Sequence, residues 1–120
     1  MQIRKTYSDV NTKLLYDEVR DFVLKQGATV VESKLETYLV PDNTSSFIFR
    51  GNLVFKVRTG QDKAERECLR AHIVGMDKGE TKLMFDINDE CFSEEKVFAL
   101  QDDLDFIFRS YEADITDEET

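Results

Sequence analysis

The chain has one proline, one histidine and two cysteines in 120 residues. So little proline, with 41% hydrophobic and 34% charged residues, describes a globular domain and argues against disorder. There is no run of about 18 apolar residues, so no membrane-spanning helix is expected. The opening Met1-Gln2-Ile3-Arg4-Lys5 lacks the apolar centre of an export signal. The expected location is therefore the cytoplasm, with Cys68 and Cys91 as reduced thiols. They have no CxxC spacing, which leaves no redox pair or zinc signature. A single histidine outside any GxSxG context makes no serine triad. His72 with Cys68 supplies two ligands where a zinc site takes four. Gly51 and Gly60 are spaced as turn punctuation, not as a phosphate loop. No catalytic residue, metal site or cofactor is expected.

The chain does carry a large and uneven charge. The net value is −9. Met1 to Phe49 is nearly balanced. Arg50 to Lys82 holds eight basic and five acidic residues, whereas Leu83 to Thr120 holds two basic and thirteen acidic. An acidic total disfavours nucleic acid and anionic membranes, because both repel it at long range. The central block still offers a local basic surface.

Hydrophobic spacing gives the elements. Gln2 to Tyr7 is a short strand. Ser8, Asp9 and Asn11 offer caps for a first helix with Leu15, Val19, Phe22 and Val23 on its buried stripe and Leu24 opposite; Gly27 ends it. Ala28 to Val40 alternates as a strand, with Val31, Ser33, Leu35, Thr37 and Leu39 on one face. Pro41-Asp42-Asn43 turns the chain. Ser46 to Arg50 and Leu53 to Thr59 are two further strands, and Gly51-Asn52 between them reads as a hairpin turn. Gly60 to Lys63 is another turn. Ala64 to Met76 is preferred as a strand with Leu69, Ala71 and Ile73 inward; the alternative is a helix with Leu69, Ile73 and Met76 as its stripe. Lys78-Gly79-Glu80 leads to a strand from Thr81 to Ile87. The final helix runs from Ser93 to about Tyr111. Val97, Leu100, Leu104, Ile107, Phe108 and Tyr111 form its stripe, Ser93 is its cap, and Phe92 staples to Val97. Residues 1–111 make a single domain, followed by an acidic tail over 112–120.

This order predicts an α+β fold, a curved antiparallel sheet of about six strands gripping a long C-terminal helix. The strand Gln2–Tyr7, the capped helix after Ser8, the Gly51-Asn52 hairpin and the helix from Ser93 carry a resemblance across nearly the whole chain. In element order it resembles the helix-grip fold of START-like and birch-pollen-allergen-like proteins, and one half-repeat of the TATA-box-binding protein. No family motif is matched residue by residue. The resemblance implies a domain that holds a small apolar or amphipathic ligand between sheet and helix, as cyclases, lipid carriers and co-chaperones of that kind do; with no catalytic motif in the chain, a non-enzymatic binding role is the expectation. If Ala64–Met76 were a helix, the chain would be similar instead to small acidic secretion chaperones, which dimerise around an unfolded partner.

Three sets of residues follow as candidates. The ligand pocket is expected from Phe47, Phe49, Phe55, Val57, Phe85, Leu100, Leu104 and Phe108, which also suit a plain core. An anion patch is expected from Arg50, Lys56, Arg58, Arg66 and Arg70, projecting from adjacent strands away from the helices; a charge-balanced outer face is the alternative. Arg66 and Arg70 beside Cys68 also raise the question of a lowered thiol pKa, against a plain thiol. Phe98, Phe106 and Leu24 are expected on the surface, either as ordinary isolated exposed side chains or as a protein-partner or homodimer face. Asp102, Asp103 and Asp105 lie off the apolar stripe of the last helix and are expected to be solvated.

Overall fold

The computed structural model describes residues 1–40, 43–59, 64–76 and 79–112. The turns expected at Pro41-Asp42, Gly60–Lys63 and Lys78, and the tail beyond Glu112, lie outside the described residues. The elements are β1 (Gln2–Ser8), α1 (Thr12–Lys25), β2 (Thr29–Val40), β3 (Asn43–Thr59), β4 (Ala64–Met76), β5 (Glu80–Ile87) and α2 (Glu94–Phe108), with a 3-10 turn at Arg109–Tyr111. The strands form one five-stranded antiparallel sheet in the order β1-β5-β4-β3-β2. The fold class is therefore α+β, with one strand fewer than expected.

The missing strand is a misread turn. Gly51 and Asn52 lie inside the continuous strand β3, paired with Leu35 and Lys34 on one side and with Ile73 and His72 on the other. The glycine serves a close approach instead of a turn. A methyl carbon built on Gly51 would lie 2.8 Å from Cδ2 and 3.2 Å from Cε2 of Tyr16 in α1. Ala64–Met76 is a strand, so the secretion-chaperone order does not arise.

Asn11 supplies the α1 cap, accepting from the Leu14 N–H at 3.1 Å. Gly27 has φ +94° just past the helix end, where glycine alone is unstrained. Leu15, Val19 and Val23 are buried as the spacing predicts, and Tyr16 joins them, its hydroxyl bonded to Ser33 Oγ. In α2, Ser93 Oγ accepts from the Lys96 N–H at 3.3 Å, and Phe92 and Val97 are both buried. The buried stripe is Val97, Leu100, Leu104 and Phe108 only. Ile107 and Tyr111, expected on it, are exposed. Ile107 lies about 100° round the helix from Phe108, and the tighter 3-10 turn rotates Tyr111 away.

Both helices cover the same face of the sheet. α1 lies over β3 and β2 through Tyr16, with Gly51 and Ser33 beneath it. α2 lies over β1, where Lys5 Nζ bonds Asp105 Oδ1 at 3.0 Å and the Tyr7 and Phe108 rings meet edge to face with centroids 5.9 Å apart. The helices touch each other through Glu18 and Asp103. One core results, joining Leu53, Phe55, Leu69, Ala71, Ile73, Leu83 and Phe85 of the sheet to the helix stripes. Among the described residues, no helix is long and apolar enough to cross a membrane.

Candidate functional site

Cross-strand partners in an antiparallel ladder point to the same face, so the register sorts the candidate side chains. Ser33, Leu35, Thr37 and Leu39 of β2 pair with Leu53, Gly51, Phe49 and Phe47 on the helix side. Glu32, Lys34, Glu36 and Tyr38 stand on the outer side, as alternation predicts. β4 carries a bulge at Cys68: Leu69 pairs with Phe55, but Glu67 pairs with Lys56, so one residue is extra. β2 carries another at Val31.

The β4 bulge overturns one expected placement. Arg66 pairs with Val57, which packs against the core, so Arg66 stands on the helix side and not with the outer cations. Alternation counted straight through Cys68 misses the extra residue, which reverses its phase. The same bulge separates Cys68 from His72. Cys68 is buried, whereas His72 is on the outer face, bonded through Nδ1 to Asn52 Oδ1. Burial pushes the Cys68 thiol up to about 11, the opposite of activation by neighbouring arginines. No group of three or more potential metal ligands occurs among the described residues.

Of the eight pocket candidates, Phe55, Phe85, Leu100, Leu104 and Phe108 are at most 1% exposed and share one core. Burying each contributes roughly 1.5–3 kcal/mol. Opening a cavity among them would remove much of a typical domain stability of about 5–15 kcal/mol. Phe47 is exposed, and Phe49 and Val57 are half-buried at opposite ends of the sheet. Phe49 lines a recess of about 230 Å³ with Val10 and Met76. Val57 lines a larger one.

That larger recess, about 510 Å³, opens where the sheet meets the start of α2. Gln26 and Gly27 come from the end of α1, Thr29 from the start of β2, Lys56, Val57 and Arg58 from β3, Glu65 from β4, Cys91 from the loop before α2, and Lys96 from its first turn. Asn88 shapes that loop: its carbonyl accepts from the Cys91 and Phe92 N–H groups at 3.0 and 2.9 Å. Arg58 pairs with Glu65 at 3.4 Å, with both side chains well exposed. Lys96 Nζ donates to the Gln26 carbonyl at 3.0 Å and lies 6.0 Å from the centre of the Phe92 ring. By register, Lys56, Arg58 and Glu65 stand on the outer side of the rim of this recess, whereas Val57 is on the helix side, toward Cys91 and Lys96.

Sequence reasoning named Lys56, Val57 and Arg58 but missed Lys96. A signal was present. Leu83 to Thr120 holds two basic residues, and one of them, Lys96, sits in the first turn of a helix, where the macrodipole disfavours a cation.

Among the described residues, no helix covers the outer face of the sheet. Arg70 holds Glu67 through two bonds, at 2.8 and 3.1 Å, and keeps the Glu67 carboxyl below its usual range. Arg4, Lys82, Arg50 and Lys34 belong to two adjacent cross-strand rows and have no ion-pair partner among the described residues. Beside Arg4 and Lys82, a recess of about 410 Å³ is lined by His72, Val74 and Met84. Phe98, Phe106 and Leu24 are exposed as expected, on two different helices.

Comparison of the chain with protein-family models, with curated proteins and with solved structures finds no match. Fold and geometry define an α+β domain with a five-stranded antiparallel sheet, two helices on one face and a cationic recess at one end.

Proposed function

We propose that this chain is a non-enzymatic binding domain of helix-grip type that takes a small amphipathic anion at the mouth between the sheet and α2. The observation that carries this reading is the 510 Å³ recess at the end of the sheet, lined by Lys56 and Arg58 from the rim of β3, by Lys96 from α2 and by Val57 and Cys91, in a chain of net charge −9. Local positive charge in an acidic protein focuses an anion on one place. The apolar side at Val57 and Cys91 accepts a short hydrocarbon portion. The ligand stays at the mouth, because the aromatics deeper in are already packed. Free Cys68 and Cys91 support a reducing, cytoplasmic setting.

A second reading rests on Arg4, Lys34, Arg50 and Lys82, which suit an extended anion lying across the outer face. One experiment separates the two. Cys91 lines the recess and is half-buried, whereas Cys68 is fully buried with its thiol pKa raised, so neutral iodoacetamide should report Cys91 alone. Octanoate and pyrophosphate are the probes. Octanoate is expected to slow the alkylation several-fold, and Lys56→Glu with Lys96→Glu to abolish the protection. Arg50→Glu with Lys82→Glu should leave it intact. Protection lost only in the outer-face variant would transfer the site to that face, and no protection by either anion would end the recess reading.

A further inference from the structure

The two edges of the sheet are finished differently. β1 is 7 residues long, and Glu112 bridges to Tyr7 along its free side. Lys5 of the same strand is held by Asp105 and Glu112 at 3.0 and 3.7 Å. β2 is 12 residues long and, among the described residues, pairs with β3 on one side only. Val31 and Leu39, near its two ends, are 51% and 56% exposed. An edge of this length with exposed apolar residues invites another strand unless charges discourage it.

On β2 the charges alternate in sign, Glu32, Lys34, Glu36, and the alternation is self-complementary. We propose that β2 pairs antiparallel with β2 of a second copy about a two-fold axis at Leu35. In that register Lys34 of each copy faces Glu36 of the other on the outer side. Leu35 faces Leu35, and Ser33 faces Thr37, on the helix side. Val31 and Leu39 meet at both ends, where the bulge at Val31 closes the ladder.

The neighbouring registers do not work. Centring on Lys34 sets Lys34 against itself and Glu32 against Glu36. Centring on Glu36 sets Glu36 against itself. Centring on Ser33 pairs Glu32 with Lys34 but brings the bulged Val31 into the middle of the ladder. Centring on Thr37 leaves Lys34 with no carboxylate. Face alternation excludes the odd shifts, because they would mix the two sides. The interface is isologous and closes after two copies. It leaves the recess beside α2 open and joins the two uncovered outer faces into one surface.

Sedimentation velocity and native mass spectrometry over a concentration series test the pairing. The wild type is expected to show a concentration-dependent dimer. Lys34→Glu and Glu36→Lys each convert both attractive pairs into like-charge pairs, and each should weaken the dimer by about tenfold or more. Both substitutions are on an exposed edge, and circular dichroism checks that the variants stay folded. An equimolar mixture of the two variants should form a heterodimer, since positions 34 and 36 are then both acidic in one chain and both basic in the other. The double charge swap in one chain should restore the homodimer. A monomer at every concentration would overturn the proposal. So would a dimer indifferent to both reversals, which would move the interface to a surface such as the one carrying Phe98 and Phe106.

Discussion

Gly51 lies under the ring of Tyr16, and the contact sets how closely α1 approaches the sheet. Gly51→Ala must push either the ring or the strand. Overpacking of this kind costs about 1–3 kcal/mol. A lower urea midpoint is expected, with little change in slope. Tyr16→Ala lowers stability by itself, but the cost of Gly51→Ala should largely disappear in its presence. Equal costs in both backgrounds would show that the strand conformation, not the ring, demands glycine.

Tyr7 is fully buried, and its hydroxyl has no hydrogen-bond partner among the described residues. Burial first, then the charges of Glu112 and Asp105, push its pKa upward, so it stays neutral. A buried hydroxyl without a partner is a cost. Tyr7→Phe keeps the edge contact with Phe108 and should raise stability by about 1 kcal/mol. Thermal unfolding at neutral pH measures this, and a clear loss would reveal a partner for the hydroxyl.

Glu18 and Asp103 meet where α1 touches α2. The hydrogen bond from protonated Glu18 to Asp103, then burial, then the Asp103 charge raise the Glu18 pKa. A carboxyl whose pKa is higher in the folded state stabilises when protonated. That contribution is full below the unfolded value and fades as pH rises through the folded one. Glu18→Gln should therefore be more stable than the wild type near about pH 7, with the difference closing toward about pH 4. Unfolding curves at several pH values check it; a difference constant across them would remove the shared proton from the account.

Where pattern and packing agree, the fold is legible in the sequence. β1, β2, β4, β5 and both helices coincide with runs of alternating or helical spacing, while β3 joins two runs read as separate strands, and the caps at Ser93 and Gly27 have local chemical signatures. The hairpin expected at Gly51-Asn52 fails because glycine signals both a turn and a close contact. Only the ring of Tyr16, thirty-five positions away, tells them apart. Arg66 falls on the unexpected face because a bulge adds one residue without any residue type announcing it. The recess joins the ends of α1, β3 and α2, which periodicity along the chain does not bring together. Lys96 was legible in principle, as a cation placed against its own helix dipole.

The pairing of β1 with β5 has a consequence for how the chain acquires its structure. β2, β3, β4 and β5 are successive neighbours, and each can close on the one before. β1 must find Thr81 to Asp86, some eighty positions downstream. Loop-closure entropy makes such a contact late and slow, whereas the meander is local. During synthesis the first strand waits for the fifth to leave the ribosome, while α1 can already dock on β2 and β3. In that interval the far side of β4, and then of β5, is open to any other extended segment. Folding speed should therefore respond more to changes in the β2–β4 meander than to changes in β1, whose loss would mainly quicken unfolding.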